Sequence, residues 1–322
     1  DGGLFYWDTS AGLSSNLAST TEVSGAPTKS RFMLVSGDDR HIICLGTETT
    51  IGSTSTQDNM FIRWSSQETT STWIPTATNT AGSKRLTDGN QIQTAVRSRG
   101  AVMVWTDSSL YSMQFIGAPF TFGLSEVSTN TSIASQNAAV AFGDAVYWMG
   151  DEVFYKYDGN VQPIPCPIEE YIFDNTNNSQ RAKITAALNS KFNEVWWFYP
   201  SAGSNENDRY VIYNYVENTW AIGALTRTAW HDRGLFNAPI AASTDGYLYN
   251  HETGQNDGST NPPSAITSYI QSSQISIGSG DDFVFLSKLI PDLTFENSIS
   301  TAPTVDFTLQ ARNFPGGAYL QT

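Results

Sequence analysis

With 322 residues, the chain can bury a large core as one large domain or two ordinary ones. Only 15% of its residues are charged, while Ser, Thr, Asn, Gly and aromatic residues are abundant, a mixture that favours strands joined by polar turns over helices. The net charge of −14 argues against a free DNA-binding surface, because such a surface neutralises phosphates with Lys and Arg. This charge serves either solubility or the repulsion of a polyanion that passes close by. The sequence has no apolar run long enough for a membrane span and no signal peptide.

The first residues have the character of a strand, with Leu4, Phe5, Tyr6 and Trp7 in succession. The chain begins at Asp1 without a Met, so we expect a fragment or the ordered part of a longer protein. We assign residues 1–31 to an N-terminal strand segment that either completes a blade or belongs to a platform.

A unit of strand, tight turn and strand recurs along the chain, and a third strand with an aromatic residue follows. The strand pairs lie at residues 32–35 and 41–45, 94–96 and 101–105, 138–142 and 145–148, and 184–188 and 194–198. Third strands lie at residues 109–113, 153–157 and 210–215, with a further one at 246–249. Trp105, Trp148 and Trp197 mark a loose period of about 40–50 residues, which is typical of β-propeller blades.

We therefore predict an all-β, β-propeller-like fold with repeated blades in residues 32–262, at about five units between Phe32 and Glu252. The alternative is a stack of β-sandwich domains, whose strands are also short and evenly spaced. A sandwich does not require the same three-strand order to recur, which favours the propeller. One short helix is predicted at residues 168–173, because Pro167 precedes it and acidic residues lie in its first turn.

The pattern changes near residue 263, and we predict an additional β-sheet segment over residues 263–322. Residues 265–277 form a polar stretch rich in Ser and Gln, and residues 283–295 are apolar on both faces, with Pro291 indicating a bulge or an edge. Residues 304–312 alternate, with Val305, Phe307 and Leu309 on one face, which predicts a half-exposed strand.

Residues that carry chemistry are few and scattered. Cys44 and Cys166 have no CxxC partner, so they are interpreted as small buried hydrophobic residues and not as zinc ligands or a disulfide. The three histidines show no metal-binding or catalytic spacing: His41, His231 and His251. His231 precedes Asp232 and is interpreted as a turn histidine. No GxSxG, GxxxxGK[ST] or GxGxxG sequence occurs, and we expect no catalytic, cofactor-binding or metal-binding residues.

Acidic residues form adjacent pairs and oxygen-rich turns. The pairs are Asp38-Asp39, Glu169-Glu170 and Asp281-Asp282; the turns are Asp158-Gly159-Asn160, Asp245-Gly246 and Asn256-Asp257-Gly258. Adjacent residues on a strand point to opposite faces, so each pair is a poor acid and base couple. A glycosidase would need carboxylates from different blades at about 5–9.5 Å. The turns could hold calcium, but ordinary turns with Gly at positive φ are the preferred interpretation.

Several short sequences together resemble a known family. They are Gly3-Leu4-Phe5-Tyr6-Trp7-Asp8-Thr9-Ser10, Asn79-Thr80-Ala81-Gly82-Ser83, Trp105-Thr106-Asp107 with Leu110-Tyr111, Glu194-Val195-Trp196-Trp197-Phe198-Tyr199-Pro200, Tyr213-Asn214-Tyr215 through Trp220, and Arg227-Thr228-Ala229-Trp230. The chain from Gly3 to about Pro315 resembles tailed-bacteriophage virion proteins of the tail nozzle or tail tubular protein B class, including phage stabilisation proteins. The resemblance implies a propeller-containing subunit in a six-fold ring below the portal and adaptor. Members of this family tend to extend further at both ends, in agreement with a fragment.

The resemblance leads us to expect a structural protein of the phage tail, a non-enzymatic homo-oligomer that contacts the portal, the adaptor and other tail proteins. DNA would pass through its channel without specific binding, because net negative charge avoids attractive phosphate contacts. One alternative is a receptor-binding or glycan-degrading propeller at the tail tip, which predicts a cross-blade carboxylate pair in a pocket. Another is an interaction propeller of non-viral origin.

Overall fold

The computed structural model describes residues 2–7, 21–37, 39–254, 266, 268–270, 272, 285–296, 298, 301–314 and 317–320. The chain divides into two compact units, Asp1–Thr253 and Gly254–Thr322. The described part of the first unit is almost entirely antiparallel β-sheet.

Five sheets follow one another along the first unit, after a short ladder of β1 (Phe5–Tyr6) and β2 (Thr21–Glu22). The first sheet contains β3 (Phe32–Val35), β4 (Ile42–Leu45), β5 (Phe61–Trp64) and β6 (Gly82–Arg85). The second contains β7 (Ile92–Ser98), β8 (Ala101–Thr106), β9 (Ser109–Gly117) and β10 (Thr121–Thr129). The third contains β11 (Ala139–Phe142), β12 (Ala145–Met149), β13 (Phe154–Tyr157) and β14 (Val161–Ile164). The fourth contains β15 (Thr185–Asn189), β16 (Glu194–Tyr199), β17 (Arg209–Asn214) and β18 (Thr219–Ala224). The fifth contains β19 (Ala229–His231), β20 (Ile240–Ala242) and β21 (Leu248–Asn250).

The sheets are arranged as the blades of a propeller. Within each sheet, every strand pairs with its neighbour in sequence, and the first strand contacts the first strand of the next sheet, from β3 to β7, β11, β15 and β19. Repeated antiparallel meanders joined through their first strands define the β-propeller class of architecture. The prediction of an all-β, propeller-like fold with about five units is confirmed, and the stacked-sandwich alternative is wrong.

Buried tryptophans fill the spaces between sheets. Trp105, Trp148 and Trp197 lie on the second strands of successive sheets and are fully buried. Trp105 and Trp148 meet edge to face at 5.4 Å between ring centroids, an arrangement worth about 0.5–1.5 kcal/mol beyond area burial. Trp220 on β18 packs against Phe154 of the third sheet, 4.8 Å between centroids. These recurring residues explain why the period was visible in the sequence.

The N-terminal segment covers the first sheet and adds no strand to the five sheets among the described residues. Gly2 forms an antiparallel bridge with Ser30, and the Leu4 side chain is buried with Cys44 and Trp73. Trp73 donates its indole N–H to the carbonyl of Thr70 at 2.6 Å. Apolar burial therefore fixes this segment on the first sheet.

Helix is scarce in the described part of the chain. α1 (Glu169–Asp174) has two acidic residues in its first turn and buries Ile172, so the predicted helix is confirmed with a shift of one residue. Short 3-10 turns occur at Thr54–Thr56 and Asn178–Lys183. Within the described residues, no helix has both the length and the apolar character that crossing a bilayer requires.

The second unit begins at Gly254, nine positions before the predicted boundary at residue 263. None of its described residues is assigned to a strand, including residues 285–295 and 304–312, where strands were predicted. Phe307 and Leu309 are each more than half exposed. Alternating apolar residues specify a sheet face only where a partner strand is paired, and the described residues show none here. Most of the polar stretch 265–277 lies outside the described residues.

Candidate functional site

A buried polar cluster lies at the turn between β3 and β4. His41 is fully buried, its Nδ1 is 2.9 Å from Oδ2 of Asp39, and its Nε2 is 3.0 Å from Oγ1 of Thr80. An ionised carboxylate only accepts hydrogen bonds, so Nδ1 of His41 donates to Asp39. The same Oδ2 accepts from the Ser36 hydroxyl at 2.7 Å.

This order of carboxylate, imidazole and hydroxyl has the connectivity of a nucleophilic triad, but its environment is structural. The Thr80 hydroxyl also accepts from the backbone N–H of Gln67 at 2.8 Å, and the His41 ring packs against Phe122 at 5.0 Å. The His41 imidazole is fully buried, and the Thr80 hydroxyl already accepts a backbone hydrogen bond. A substrate carbonyl therefore cannot reach them. The cluster therefore ties the β3–β4 turn to the segment that precedes β6.

Beside this cluster lies a cavity of about 510 Å³ between the first and second sheets. Its lining includes Asp39 from the first sheet, Arg97 and Arg99 from the β7–β8 turn, and Phe115 and Phe122 from β9 and β10. Two arginines and one aspartate line this recess in a chain of net charge −14, and Arg99 also lies 3.6 Å from a carboxylate oxygen of Asp144.

A pair of carboxylates joins the fourth and fifth sheets. The buried amide Nδ2 of Asn189 donates to Oε2 of Glu194 at 3.3 Å and to Oε1 of Glu252 at 3.2 Å. Trp196 donates its indole N–H to the same oxygen of Glu194 at 2.8 Å. Burial raises the pKa of Glu194, the charge of Glu252 raises it further, and the bonds from Trp196 and Asn189 oppose the rise. A carboxyl group with this shift suits a general acid, but the larger cavity lies elsewhere, between the first and second sheets.

The histidines predicted without a role have structural partners. His231 is exposed, and its Nδ1 is 2.6 Å from the backbone carbonyl of Asp232. His251 accepts from Nε of Arg227 at 2.8 Å, and its ring lies 4.6 Å from that of Trp230. Burial lowers the pKa of His251 to about 4, with the positive charge of Arg227 as the second cause, so this imidazole is neutral at pH 7.

The oxygen-rich turns behave as turns in the described residues. Asp158 pairs with Lys156 at 2.6 Å, and Gly159 has φ +113°. Asp245 accepts from the Tyr249 hydroxyl at 2.6 Å and from the backbone N–H of Tyr247, and these bonds lower its pKa. Within the described ranges, no group of three or more His, Cys, Asp or Glu is placed to hold a metal ion. Three of the acidic stretches fall wholly or partly outside those ranges: Asp38, Asn256-Asp257-Gly258 and Asp281-Asp282.

Both cysteines are free and buried, as predicted. Burial raises the pKa of the Cys44 thiol to about 12 and that of Cys166 to about 11, so neither forms a thiolate nucleophile at pH 7.

The sequence reasoning missed the two connected clusters, although part of the signal was present. Asp39 and His41 are two positions apart, in the turn before β4, where Arg40 has φ +50°. Thr80 lies 39 positions from His41, and nothing in the local pattern connects them. Glu194 and Glu252 likewise meet only because the fourth and fifth sheets are neighbours.

The fold and these sites define a β-propeller-like protein whose described polar clusters are mainly structural. No protein-family model and no curated protein sequence matches the chain. Among solved structures, it is similar to the N-terminal domain of Nup159, at 9% identity and a TM-score of 0.42 over 73% of this chain and 64% of that one. It is also similar to a protein described as the extracellular domain of a one-component system from B. thetaiotaomicron, at 14% identity and a TM-score of 0.40 over 69% of this chain. The chain spans about a third of the length of that protein, covering 32% of it. These values carry no inference about function, and the fold assignment rests on the arrangement of the sheets.

Proposed function

We propose that this chain is a structural virion protein of a tailed bacteriophage, a tail nozzle or tail tube subunit that forms part of the DNA-ejection channel. The observation that supports this proposal best is the exposure of large apolar side chains on the described surface. The histidines, the cysteines and the Glu194–Glu252 pair are buried or bound in structural hydrogen bonds, whereas large apolar side chains are exposed at several places, among them the tip of the β9–β10 hairpin and the fifth sheet. Exposed apolar regions of this kind mark protein interaction sites.

The first apolar region is the tip of the β9–β10 hairpin. β8 pairs with β9 only from Leu110 to Met113, so residues 114–117 extend beyond β8 and pair with β10 alone. Ile116 and Phe120 at this tip are 56% and 73% exposed. A projecting hairpin with apolar residues at its end is suited to insertion into a neighbouring subunit.

The second apolar region belongs to the fifth sheet, which has three strands among the residues that the structure describes, where the four sheets before it have four. Leu235 and Leu248 are 100% and 75% exposed. Contacts between two different regions of identical subunits are heterologous, and they close into a ring when the rotation allows. A homo-oligomeric ring, with six-fold symmetry as the family resemblance implies, follows from such contacts. Its faces would meet the portal, the adaptor and other tail proteins.

The net charge of −14 fits a channel through which DNA passes without specific binding. Carboxylates facing DNA repel phosphate, whereas clustered Lys and Arg would release counterions, bind the polymer and slow its exit. This role requires no cofactor and no catalysis.

Electron microscopy of the intact phage particle tests the proposal. We expect density for this chain in an axial ring below the portal and adaptor. Density in a fibre or on the capsid face would contradict it.

A receptor-binding or glycan-degrading propeller at the tail tip is the second candidate, and the cross-sheet pair of Glu194 and Glu252 favours it. A glycosidase would release reducing ends from host polysaccharide and would lose activity in Glu194→Gln. Absence of hydrolysis across a panel of host polysaccharides would remove the degrading form of this candidate.

A further inference from the structure

The cavity between the first and second sheets has the size and the walls of a ligand site. Its volume of about 510 Å³ lies within the range of about 300–1,000 Å³ that small-molecule sites occupy. Four chain segments line it: the β3–β4 turn, Gln67 after β5, the β7–β8 turn with its adjoining strands, and the β9–β10 hairpin. The proposed role as a channel subunit makes no use of this recess.

Two arginines supply its positive charge. Arg97 and Arg99 are two positions apart at the end of β7, and both line the cavity. Within the described part of the chain, the side chain of Arg97 makes one hydrogen bond, a long one of 3.4 Å to the carbonyl of Val35. The described partner of Arg99 is Asp144 at 3.6 Å, with both side chains more than three-quarters exposed. Each guanidinium group carries five N–H donors, so most of the donors remain for an anion.

The opposite wall holds an oriented acceptor. Ser36 and His41 both bind Oδ2 of Asp39, and Oδ1 accepts no hydrogen bond from the described residues. The Asp39 side chain is 14% exposed and lines the cavity. Because two partners hold the carboxylate in place, Oδ1 is ready to accept from a hydroxyl group without losing rotamer freedom.

Phenylalanine rings form the apolar wall. Phe115 is 44% exposed, and it meets Phe122 edge to face at 5.8 Å between centroids. An exposed aromatic ring beside polar groups offers a flat apolar surface for the C–H face of a ring-shaped ligand.

We propose that this cavity binds a hexuronic-acid residue of an acidic polysaccharide. The sugar carboxylate is bound by Arg97 and Arg99, a ring hydroxyl donates to Oδ1 of Asp39, and the C–H face of the sugar lies on Phe115. This binding goes beyond the proposed channel role and does not depend on it.

A nucleic-acid phosphate fits the same arginines less well. Binding of a nucleic acid depends on many Lys and Arg contacts, whereas this recess has two arginines on a strongly acidic chain. A phosphodiester group offers no hydrogen-bond donor to Oδ1 of Asp39, whereas a ring hydroxyl of a hexuronic acid does.

Isothermal titration calorimetry with trigalacturonic acid tests the proposal, with the uncharged trisaccharide maltotriose as the ligand control. We expect the wild-type chain to bind the acidic trisaccharide at least about tenfold more tightly than the neutral one, and Arg97→Gln to weaken binding by about 10–100-fold. Arg233→Gln is the matched control, since Arg233 is exposed in the loop between β19 and β20 and does not line the cavity. It should leave binding unchanged. Phe115→Ala should weaken the binding of both trisaccharides. Thermal unfolding of each variant reports whether it is folded.

Four results would overturn the proposal: no binding of trigalacturonic acid, equal binding of maltotriose, equal loss in Arg97→Gln and Arg233→Gln, or tighter binding of a 15-nucleotide oligodeoxythymidylate through Arg97. The last result would mean that the ligand of the cavity is a nucleic acid and not an acidic sugar. Particle microscopy separates this inference from the channel role, because an axial ring without trisaccharide binding removes only the inference. Trisaccharide binding without an axial ring removes only the channel role.

Discussion

Trp197 on β16 donates its indole N–H to the carbonyl of Ala138, 3.0 Å away and 59 positions earlier in the chain. Trp197 is fully buried, and Ala138 immediately precedes β11, so the bond joins the fourth sheet to the third. The same carbonyl accepts from the backbone N–H of Met149.

We predict that Trp197→Phe lowers the free energy of unfolding by about 1–2 kcal/mol, because the ring is largely kept and one hydrogen bond is lost. Trp197→Ala should cost about 3–5 kcal/mol, since it also opens a cavity between sheets. Urea denaturation followed by fluorescence measures both. Trp220→Phe is the matched control, because its indole donates to Pro165 at a more exposed position. An equal loss in the two Phe variants would contradict the role assigned to burial.

The buried imidazole of His251 predicts a dependence of stability on pH. Its pKa is about 4 in the folded chain, against about 6.5 when unfolded, so the unfolded state binds more protons between these values. Its contribution is therefore fully present above pH 6.5 and is lost as the pH falls towards 4. After discounting for partial exposure, we expect a loss of roughly 1–2 kcal/mol.

Urea denaturation at pH 7 and pH 4.5 measures this dependence. His251→Gln keeps an acceptor for Arg227 but does not titrate, so the difference in stability between the two pH values should shrink in this variant. An unchanged difference would show that carboxylates alone cause the pH effect.

The pair of Glu194 and Glu252 predicts a stabilising substitution. The pKa of Glu194 is raised in the folded chain, so ionisation favours the unfolded state as the pH rises through the folded value. Glu194→Gln keeps an acceptor for Trp196 and removes the repulsion from Glu252. It should raise the free energy of unfolding at pH 7 by up to about 1 kcal/mol.

The midpoint of urea denaturation at pH 7 measures this gain. Glu217→Gln, at an exposed position after β17, is the control and should change little. Destabilisation by Glu194→Gln would mean that the charged form is favoured in the folded chain.

The exposed hairpin tip predicts the site of self-association. Ile116→Asp should weaken association at least about tenfold, because it places a charge in a desolvated contact, while the stability of the monomer stays within about 0.5 kcal/mol. Analytical ultracentrifugation over a range of concentrations measures the association.

Ile74→Asp is the matched control, since Ile74 is 68% exposed on the segment that precedes β6. If both variants associate like the wild type, the hairpin tip is not part of a subunit interface.

The blade pattern was predictable because the first two strands of most sheets are apolar and are joined by a tight turn. The strand at residues 145–148 is a continuous apolar run, and Trp148 repeats the position of Trp105. The fourth strands of the sheets were not predicted: β6 and β14 have only four residues each, and β10 and β18 are partly exposed. β14 contains Pro163, which edge strands tolerate because the missing N–H faces away from the sheet.

Glycine obscured the fourth strands further. Gly82 on β6 lies opposite Trp64, and Gly223 on β18 lies opposite Tyr210. In each pair the aromatic ring occupies the space where a Cβ would stand. Sequence alone assigns such a glycine to a turn, whereas cross-strand packing makes it part of a sheet.

The candidate sites were less predictable than the fold. Arg97 and Arg99 were recognised only as part of a turn, and Phe115 lies on a strand whose extension beyond β8 no local pattern indicates. A cavity between sheets depends on where distant turns meet, and each turn taken alone resembles an ordinary loop.

The pairing of every strand with its sequence neighbour has a consequence for how the chain folds. Most hydrogen-bonded strand pairs close short loops, which cost little chain entropy, whereas the β4–β5 and β5–β6 connections of the first sheet are longer. Each sheet can therefore form soon after it leaves the ribosome, with its first strand adding to the sheet made just before it. Folding from the N-terminus to the C-terminus would keep few strands unpaired at any time, which limits aggregation during synthesis.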